Sequence, residues 1–362
     1  MSRIVIAGGG TGGHIFPALS IANELRKQEP GVQILFVGAK GKMEMEKVPE
    51  AGYEIRGLDI AGFNRSSLIK NIALPFKLVR SFFQVREIFR EFRPDAAVGV
   101  GGYSTYPVLR YAQARGIPTF IHESNSFAGK ANIMLSRKAT RIFAASDGME
   151  KFFPADRLMH TGNPVRASIT EQPVSRAEGL KFFGLSPDYK TVLVTGGSLG
   201  AKSINEAIDE GIPLLKKHRI QLIWQTGKTF AGKAAEHAAE SSLIWSNRFI
   251  TKMEYAYAAA DIVVSRSGSI LFELCVMRKP VIFVPYPHAT EDHQTVNAQH
   301  LVDKHAAWMV ADRDAKKLLV NKIVELVENQ QEQEVLSNNI GRLAITDADK
   351  KIASVILKVI HG

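Results

Sequence analysis

The chain has 362 residues, 45% hydrophobic and 23% charged, which is longer than one hydrophobic core usually supports and too apolar for wholesale disorder. A single cysteine, Cys275, allows no internal disulfide and no cysteine-based metal cage, and there is no run of about 18 apolar residues to span a bilayer. The formal net charge of +10 suits an anionic partner (nucleic acid, anionic lipid or a phosphorylated substrate) or merely aids solubility.

The first residues lack the apolar core and small-residue cleavage site of a signal peptide. They enter a strand, Arg3–Ala7, that runs into Gly8-Gly-Gly-Thr-Gly-Gly13 and then a helix expected to begin near Phe16. A glycine-rich turn between strand and helix lets backbone approach a phosphate and aims free N–H groups at it. Gly8, Gly10 and Gly13 satisfy G-x-G-x-x-G, a weak signal alone, since a tight packing turn looks the same. A dinucleotide site also wants an acidic residue closing the second strand. Here Gln33–Val37 is followed by Gly38-Ala-Lys40, without a carboxylate, which counts against a nicotinamide cofactor. His14 closes the loop at a helix start, placed either to take a proton or only to cap the helix.

Next comes a basic, aromatic stretch, Leu68–Arg93. At about 100° per residue, Leu78, Phe82, Val85, Phe89 and Phe92 share one stripe, the expected core face. Phe76, Val79 and Phe83 fall on another side near Arg80, Arg86 and Arg90, a pattern suited either to anionic headgroups or to packing on a neighbouring helix. Further strands are expected at Ala96–Val100, Thr119–His122 and Arg141–Ala144, with Gly101-Gly-Tyr103 after the first of them. Gly162-Asn-Pro-Val-Arg166 and the polar residues through Ser175 look like an interdomain crossing. A second series then opens as the first did. Thr191–Thr195 leads into Gly196-Gly-Ser-Leu-Gly200 and a helix near Lys202, followed by strands at Gln221–Gln225, Ile262–Ser265 and Val281–Val284.

This alternation implies the α/β class, with two Rossmann-like domains and parallel sheets. The expected boundaries are 1–165, 166–340 and a C-terminal helix within 341–362 that could pack back on the first domain.

The motifs Gly9-Gly-Thr-Gly-Gly-His14-Ile-Phe-Pro17, Gly101-Gly-Tyr103, His122-Glu-Ser-Asn125, Gly162-Asn-Pro-Val-Arg166, Gly196-Gly-Ser-Leu-Gly-Ala201 and Glu291-Asp-His-Gln294-Thr-Val-Asn297 occur in that order. Together they resemble the MurG family, the peptidoglycan N-acetylglucosaminyltransferases of glycosyltransferase family 28. The resemblance implies a GT-B fold, two Rossmann-like domains facing a central cleft. It implies transfer of GlcNAc from UDP-GlcNAc to the C4 hydroxyl of MurNAc in undecaprenyl-pyrophosphoryl-MurNAc-pentapeptide, lipid I to lipid II. That step belongs to peptidoglycan synthesis, and places the enzyme peripherally on the cytoplasmic face of the bacterial inner membrane.

By the same resemblance Thr11, Gly12 and Gly13 would face the donor, Asn125 and Arg166 would contact it, and Ser198 would bond a phosphate oxygen. The Ile250 backbone would meet the uracil edge and Gln294 the sugar hydroxyls. Ser269 could donate to a phosphate, and Glu273 would bind ribose, although Arg266-Ser-Gly-Ser-Ile-Leu-Phe-Glu273 is one residue shorter than the family's usual spacing. Gly102, Tyr103 and Ser104 are the expected acceptor contacts. An α-linked donor and a β-linked product imply one inverting displacement, with His14 as the leading base and Glu123 as second choice.

No metal or cofactor is expected: Asp347-Ala-Asp349 is a D-x-D far from the glycine loops. No nucleic-acid reading module is present. A UDP-GlcNAc 2-epimerase and a non-catalytic nucleotide-sugar binding subunit remain as alternatives.

Overall fold

A computed structural model of the chain describes residues 1–61, 74–171, 173–289 and 292–362. The beginning of the basic aromatic stretch, from Leu68 to Ala73, and Glu291 lie outside the described residues. The chain divides into two compact units, Met1–Arg166 together with Thr346–Gly362, and Ala167–Ile345.

The first unit is built on seven parallel strands: β1 (Arg3–Ala7), β2 (Gln33–Ala39), β3 (Glu54–Leu58), β4 (Ala96–Gly99), β5 (Thr119–Glu123), β6 (Arg141–Ala144) and β7 (Leu158–His160). They lie in the order β3-β2-β1-β4-β5-β6-β7. Alternation along β1 divides its apolar side chains between two faces. Ile4 and Ile6 enter one core with Ile15, Ile21 and Leu25 of helix α1 (Gly12–Gln28). Val5 and Ala7 enter the other. That second core is closed by Val85 and Phe89 of α3 (Leu74–Phe92) and by Val108 and Leu109 of α4 (Thr105–Ala114). The short helix α2 (Glu44–Glu50) follows β2.

Helix α1 begins at Gly12, four residues before the sequence-based start at Phe16. Pro17 sits inside the helix. The glycine turn and the helix start therefore overlap, and His14 lies in the first turn.

The C-terminal helix Ala348–His361 completes the first unit rather than the second. Ile352, Ala353 and Ile356 enter the same core as α1. Gln28 Nε2 donates to the Lys350 carbonyl at 3.3 Å, and Ser354 donates to Gln28 Oε1 at 3.0 Å.

The second unit carries six parallel strands: β8 (Thr191–Thr195), β9 (Gln221–Gln225), β10 (Ile244–Asn247), β11 (Ile262–Ser265), β12 (Val281–Phe283) and β13 (Trp308–Met309). Their order is β10-β9-β8-β11-β12-β13. One face packs on Ile204 and Ile208 of the helix Lys202–Lys217 and on Leu319 and Ile323 of the helix Ala315–Glu328.

In each sheet the strand order reverses once, between β1 and β4 and between β8 and β11. Open parallel sheets bind ligands at the carboxyl ends of the strands flanking such a reversal. All four glycine- or serine-bearing turns singled out in the sequence follow these four strands.

Ile356 is fully buried between the C-terminal helix and α1. Ile356→Ala is expected to lower the unfolding free energy by about 2–5 kcal/mol. Urea denaturation followed by fluorescence measures this, and a loss below 1 kcal/mol would show that the helix contributes little to the core.

Candidate active site

In the first unit the turn after β1 and the turn after β4 lock together. Gly9 N–H donates to the Gly101 carbonyl at 3.1 Å, and Val100 N–H to the Ala7 carbonyl at 2.9 Å. The His14 ring reaches back over this junction, its Nδ1 2.9 Å from the Gly9 carbonyl oxygen. A carbonyl can only accept, so Nδ1 carries a proton, and Nε2 is the nitrogen left to exchange one. Nε2 faces Gly101, where a Cβ would lie 2.7 Å from it. At φ +98° that position is also in a region side chains avoid, so Gly101 is required twice over.

Beneath the first turn is a carboxylate that the sequence did not announce. Glu44, 1% exposed at the start of α2, accepts from Gly10 N–H at 2.7 Å and from Ala39 N–H at 3.0 Å. It fills the space beside Gly9 and Gly38, where Cβ atoms would lie 2.2 and 2.5 Å from its side chain. The missing acid after β2 is thus supplied from five residues beyond Ala39, but it caps backbone instead of offering itself to a ribose.

Two expectations in this unit are corrected. Glu123 is not placed as a base. Buried at the end of β5, its Oε1 accepts from Asn125 N–H at 3.1 Å and Asn125 Nδ2 at 3.0 Å, and its Oε2 from Gly129 N–H at 3.0 Å and Asn132 Nδ2 at 2.8 Å. A carboxylate with both oxygens engaged by fixed N–H donors holds the loop 123–132 in shape and orients Asn125. Ser104 is 1% exposed, its hydroxyl without a partner among the described residues, and it cannot present that hydroxyl to a substrate. Its neighbour Tyr103 is exposed, beside Gly102.

Thr11 is exposed at the N-cap of α1, with Gly12 and Gly13 in the first turn. Arg166 lies over the Phe16 ring, 4.6 Å from its centroid. Burial pushes the His122 imidazole down to about 4, so it is neutral near pH 7.

In the second unit Gln225, buried on β9, joins three segments. Its Nε2 donates to Thr195 Oγ1 at 2.9 Å and to the Gly197 carbonyl at 3.0 Å, while its Oε1 accepts from Ile250 N–H at 2.8 Å. This narrows the expectation for the Ile250 backbone: its N–H is taken, and its carbonyl is left to meet a base edge. Ser198 stands half-exposed in the turn that Gln225 braces.

The turn after β11 is braced in the same way. Ser267 Oγ donates to the Gln294 carbonyl at 2.7 Å, and Asn297 Nδ2 to the Ser267 carbonyl at 3.0 Å. Gln294 Oε1 accepts from Tyr286 N–H at 2.9 Å, and its Nε2 lies beside Gly268. Ser269 at the N-cap of the helix Ile270–Met277 makes no capping bond with its side chain. Glu273, 9% exposed in that helix, accepts the Tyr257 hydroxyl at 2.6 Å, so its carboxylate is held in place.

A second D-x-D, Asp312-Arg-Asp314, is spent on structure: Asp312 accepts from Arg266 and from the Ser203 hydroxyl. Among the described residues no three His, Cys, Asp or Glu side chains gather as a metal site would need.

Helix α3 divides as its periodicity implied. Val85 and Phe89 are buried, Leu78, Phe82 and Phe92 half-buried, while Phe76, Val79 and Phe83 are 78%, 57% and 64% exposed. Arg80 on this face pairs with Asp59 at 3.3 Å. The Lys40 ammonium 3.0 Å from Asp59 holds that carboxyl below its usual range, more than Arg80 does. Arg86 and Arg90 instead line a hollow of about 600 Å³ with Arg3, Arg93, Arg115 and Asp95. Among the described residues no helix is long and apolar enough to cross a membrane.

Residues 4–144 match the glycosyltransferase family 28 N-terminal domain, and residues 191–353 the glycosyltransferase family 28 C-terminal domain. A protein of Phocaeicola vulgatus, named UDP-N-acetylglucosamine--N-acetylmuramyl-(pentapeptide) pyrophosphoryl-undecaprenol N-acetylglucosamine transferase, is 49% identical over 361 residues, covering 99% of this chain and 96% of the relative. A relative of the same name in Parabacteroides distasonis is also 49% identical, over 99% of this chain and 98% of its own length. The crystal structure of Acinetobacter baumannii MurG matches with a TM-score of 0.76 at 28% identity, covering 99% of this chain and 100% of that one. A UDP-GlcNAc 2-epimerase of Neisseria meningitidis bound to UDP-GlcNAc reaches a TM-score of 0.69 at 17% identity, covering 99% and 100%, a likeness of fold alone.

Gly116 also has positive φ but nothing within 4 Å of its missing Cβ, which makes it a control for strain alone. Gly101→Ala is expected to cost at least about 1 kcal/mol more in unfolding free energy than Gly116→Ala, and to move the His14 ring resonances. Equal costs with an unmoved His14 would show that Gly101 leaves no necessary space for the ring.

Proposed function

The chain belongs to glycosyltransferase family 28, and from that membership we propose that it transfers GlcNAc from UDP-GlcNAc to the C4 hydroxyl of MurNAc in undecaprenyl-pyrophosphoryl-MurNAc-pentapeptide, making lipid II from lipid I in peptidoglycan synthesis. The observation that carries the reading to a residue is the bond from His14 Nδ1 to the Gly9 carbonyl, which reserves Nε2 as an acceptor. In one displacement Nε2 takes the proton of the C4 hydroxyl, the oxygen attacks the anomeric carbon from the face opposite UDP, and UDP departs with the bonding pair. The anomeric centre inverts, and His14 later returns its proton to solvent.

Charge gathering on the departing diphosphate calls for fixed donors. Backbone N–H groups around 196–200 and 267–270, with Ser198 and Ser269, serve that role, and Arg166 adds a cation. Gln294, through Nε2, and Asn125, held by Glu123, bond the sugar, with Thr11, Gly12 and Gly13 against it. The carboxylate of Glu273, fixed by Tyr257, takes the ribose hydroxyls, and the Ile250 carbonyl accepts from the uracil N3–H. Tyr103 and Gly102 contact the acceptor. In this reading no metal ion or cofactor takes part, since backbone and side-chain donors meet the charge.

The acceptor is held in a membrane, and we assign the exposed face of α3 to that surface. Phe76, Val79 and Phe83 enter the headgroup region, and Arg86 and Arg90 meet anionic lipid; Arg80 contributes less because Asp59 already neutralises it. The enzyme then sits peripherally on the cytoplasmic face of the bacterial inner membrane.

Transfer of labelled GlcNAc to a short-chain lipid I analogue tests the reaction, and His14→Ala is expected to lower kcat by about 10²–10⁴-fold. Normal turnover in that variant would remove His14 as the base, and formation of UDP-ManNAc from UDP-GlcNAc alone would identify an epimerase instead. Reversing the charge at Arg86 and Arg90 is expected to weaken binding to phosphatidylglycerol vesicles about tenfold or more while sparing UDP binding. Unchanged vesicle binding would overturn the membrane assignment of α3.

A further inference from the structure

The peptide unit between Gly9 and Gly10 is held from both sides. Its N–H donates to Glu44 Oε2 at 2.7 Å, and its carbonyl accepts from His14 Nδ1 at 2.9 Å. An amide bonded this way is polarised along its length, because negative charge beside the N–H increases electron density on the carbonyl oxygen. The chain carboxylate, amide, imidazole is continuous, and it ends at Nε2. We propose that Glu44 is a positioning residue for His14, acting through the Gly9–Gly10 peptide as the carboxylate of a hydrolase triad acts directly on its histidine. It fixes the ring's tautomer and orientation and stabilises the imidazolium formed when Nε2 takes a proton.

The surroundings are built for this purpose. Glu44 is 1% exposed, and a buried carboxylate needs fixed donors on its oxygens. Oε2 has Gly10 N–H and Oε1 has Ala39 N–H at 3.0 Å. Two glycines make room for it: a Cβ on Gly9 would lie 2.2 Å from the carboxyl carbon, and one on Gly38 would lie 2.5 Å from Cγ. A merely structural acceptor for Gly10 N–H could have been a neutral carbonyl or water. Burying a charge there is the costlier solution, and it is repaid when the site must hold a transient positive charge.

This inference rests on His14 as the base, and its test separates the two. The tautomer of His14 is read directly by long-range ¹⁵N–¹H correlation in the full-length, histidine-labelled protein, with His14→Ala giving the assignment. The expected state is protonated at Nδ1. A ring protonated only at Nε2 would overturn the relay without recourse to any variant. Glu44→Gln keeps the shape and removes the charge. It is expected to raise the share of Nε2–H tautomer and to lower kcat about tenfold, with KM for UDP-GlcNAc within about twofold. Glu44→Asp, which retains the charge, is expected to recover part of that loss.

On the His14→Ala background Glu44→Gln is expected to cost nothing more, within about twofold. An equal cost on both backgrounds, or a loss confined to KM, would show that Glu44 only props up the glycine turn. If His14→Ala alone turned over normally, the base assignment would fail, while the tautomer change on Glu44→Gln would still decide whether the relay exists.

Discussion

The first unit depends on how closely two turns approach at the carboxyl ends of β1 and β4. Side chains at this junction would drive the strands' ends apart: a Cβ on Gly8 would lie 2.7 Å from the Gly101 carbonyl oxygen, and one on Gly102 2.5 Å from that of Gly9. Closeness of backbone is useful because peptide groups are then the structural material of the site. They carry fixed dipoles, they lose no rotamer entropy, and they can be bonded on both edges. Everything nearby adapts to that junction: α1 starts at once to place His14, α2 sends a carboxylate beneath the first turn, and Thr105 ties α4 to the Ala7 carbonyl at 3.1 Å.

The second unit reaches a similar end by other means. Its turns are braced by buried amides, Gln225 under the turn after β8 and Asn297 under the turn after β11. An amide both donates and accepts, so one side chain can lock two backbone segments without leaving a charge behind. In the proposed reaction a neutral brace suits the turns that would receive anionic oxygens, and a carboxylate brace suits the unit that would supply the base.

The interior of each sheet was legible in the sequence. Strands buried on both faces are continuous apolar runs, and Thr191–Thr195 or Ile262–Ser265 can be located to the residue. The four strands that escaped notice, β3, β7, β10 and β13, are the four sheet edges. There one side is solvated, burial is incomplete and the sequence turns polar, as in Glu54-Ile-Arg-Gly-Leu58. The candidate site was legible where contacts are local, as in His14 closing on its own glycine turn. It was not legible where a partner arrives from elsewhere in the chain. Glu44 belongs to a short helix with no periodic signal, and nothing in its neighbours announces that it returns to Gly10. Glu123 failed as a base for the same reason: its residue type suited the role, but Asn132 and Gly129 had already claimed its oxygens.

The C-terminal helix gives the first unit an unusual relation to protein synthesis. Residues 1–166 leave the ribosome before residues 167–345, yet Ile352 and Ile356, which seal their core, leave after them. The usual order, in which an N-terminal domain closes while the next is still being made, cannot run to completion here. Residues 167–345 form an uninterrupted unit and close before the unit that precedes them in the chain. Until then the α1 face of the first sheet lacks its cover, exposing apolar surface that a nascent-chain chaperone would recognise. A stop codon between residues 346 and 352 would therefore damage the earlier-made unit and leave residues 167–345 whole.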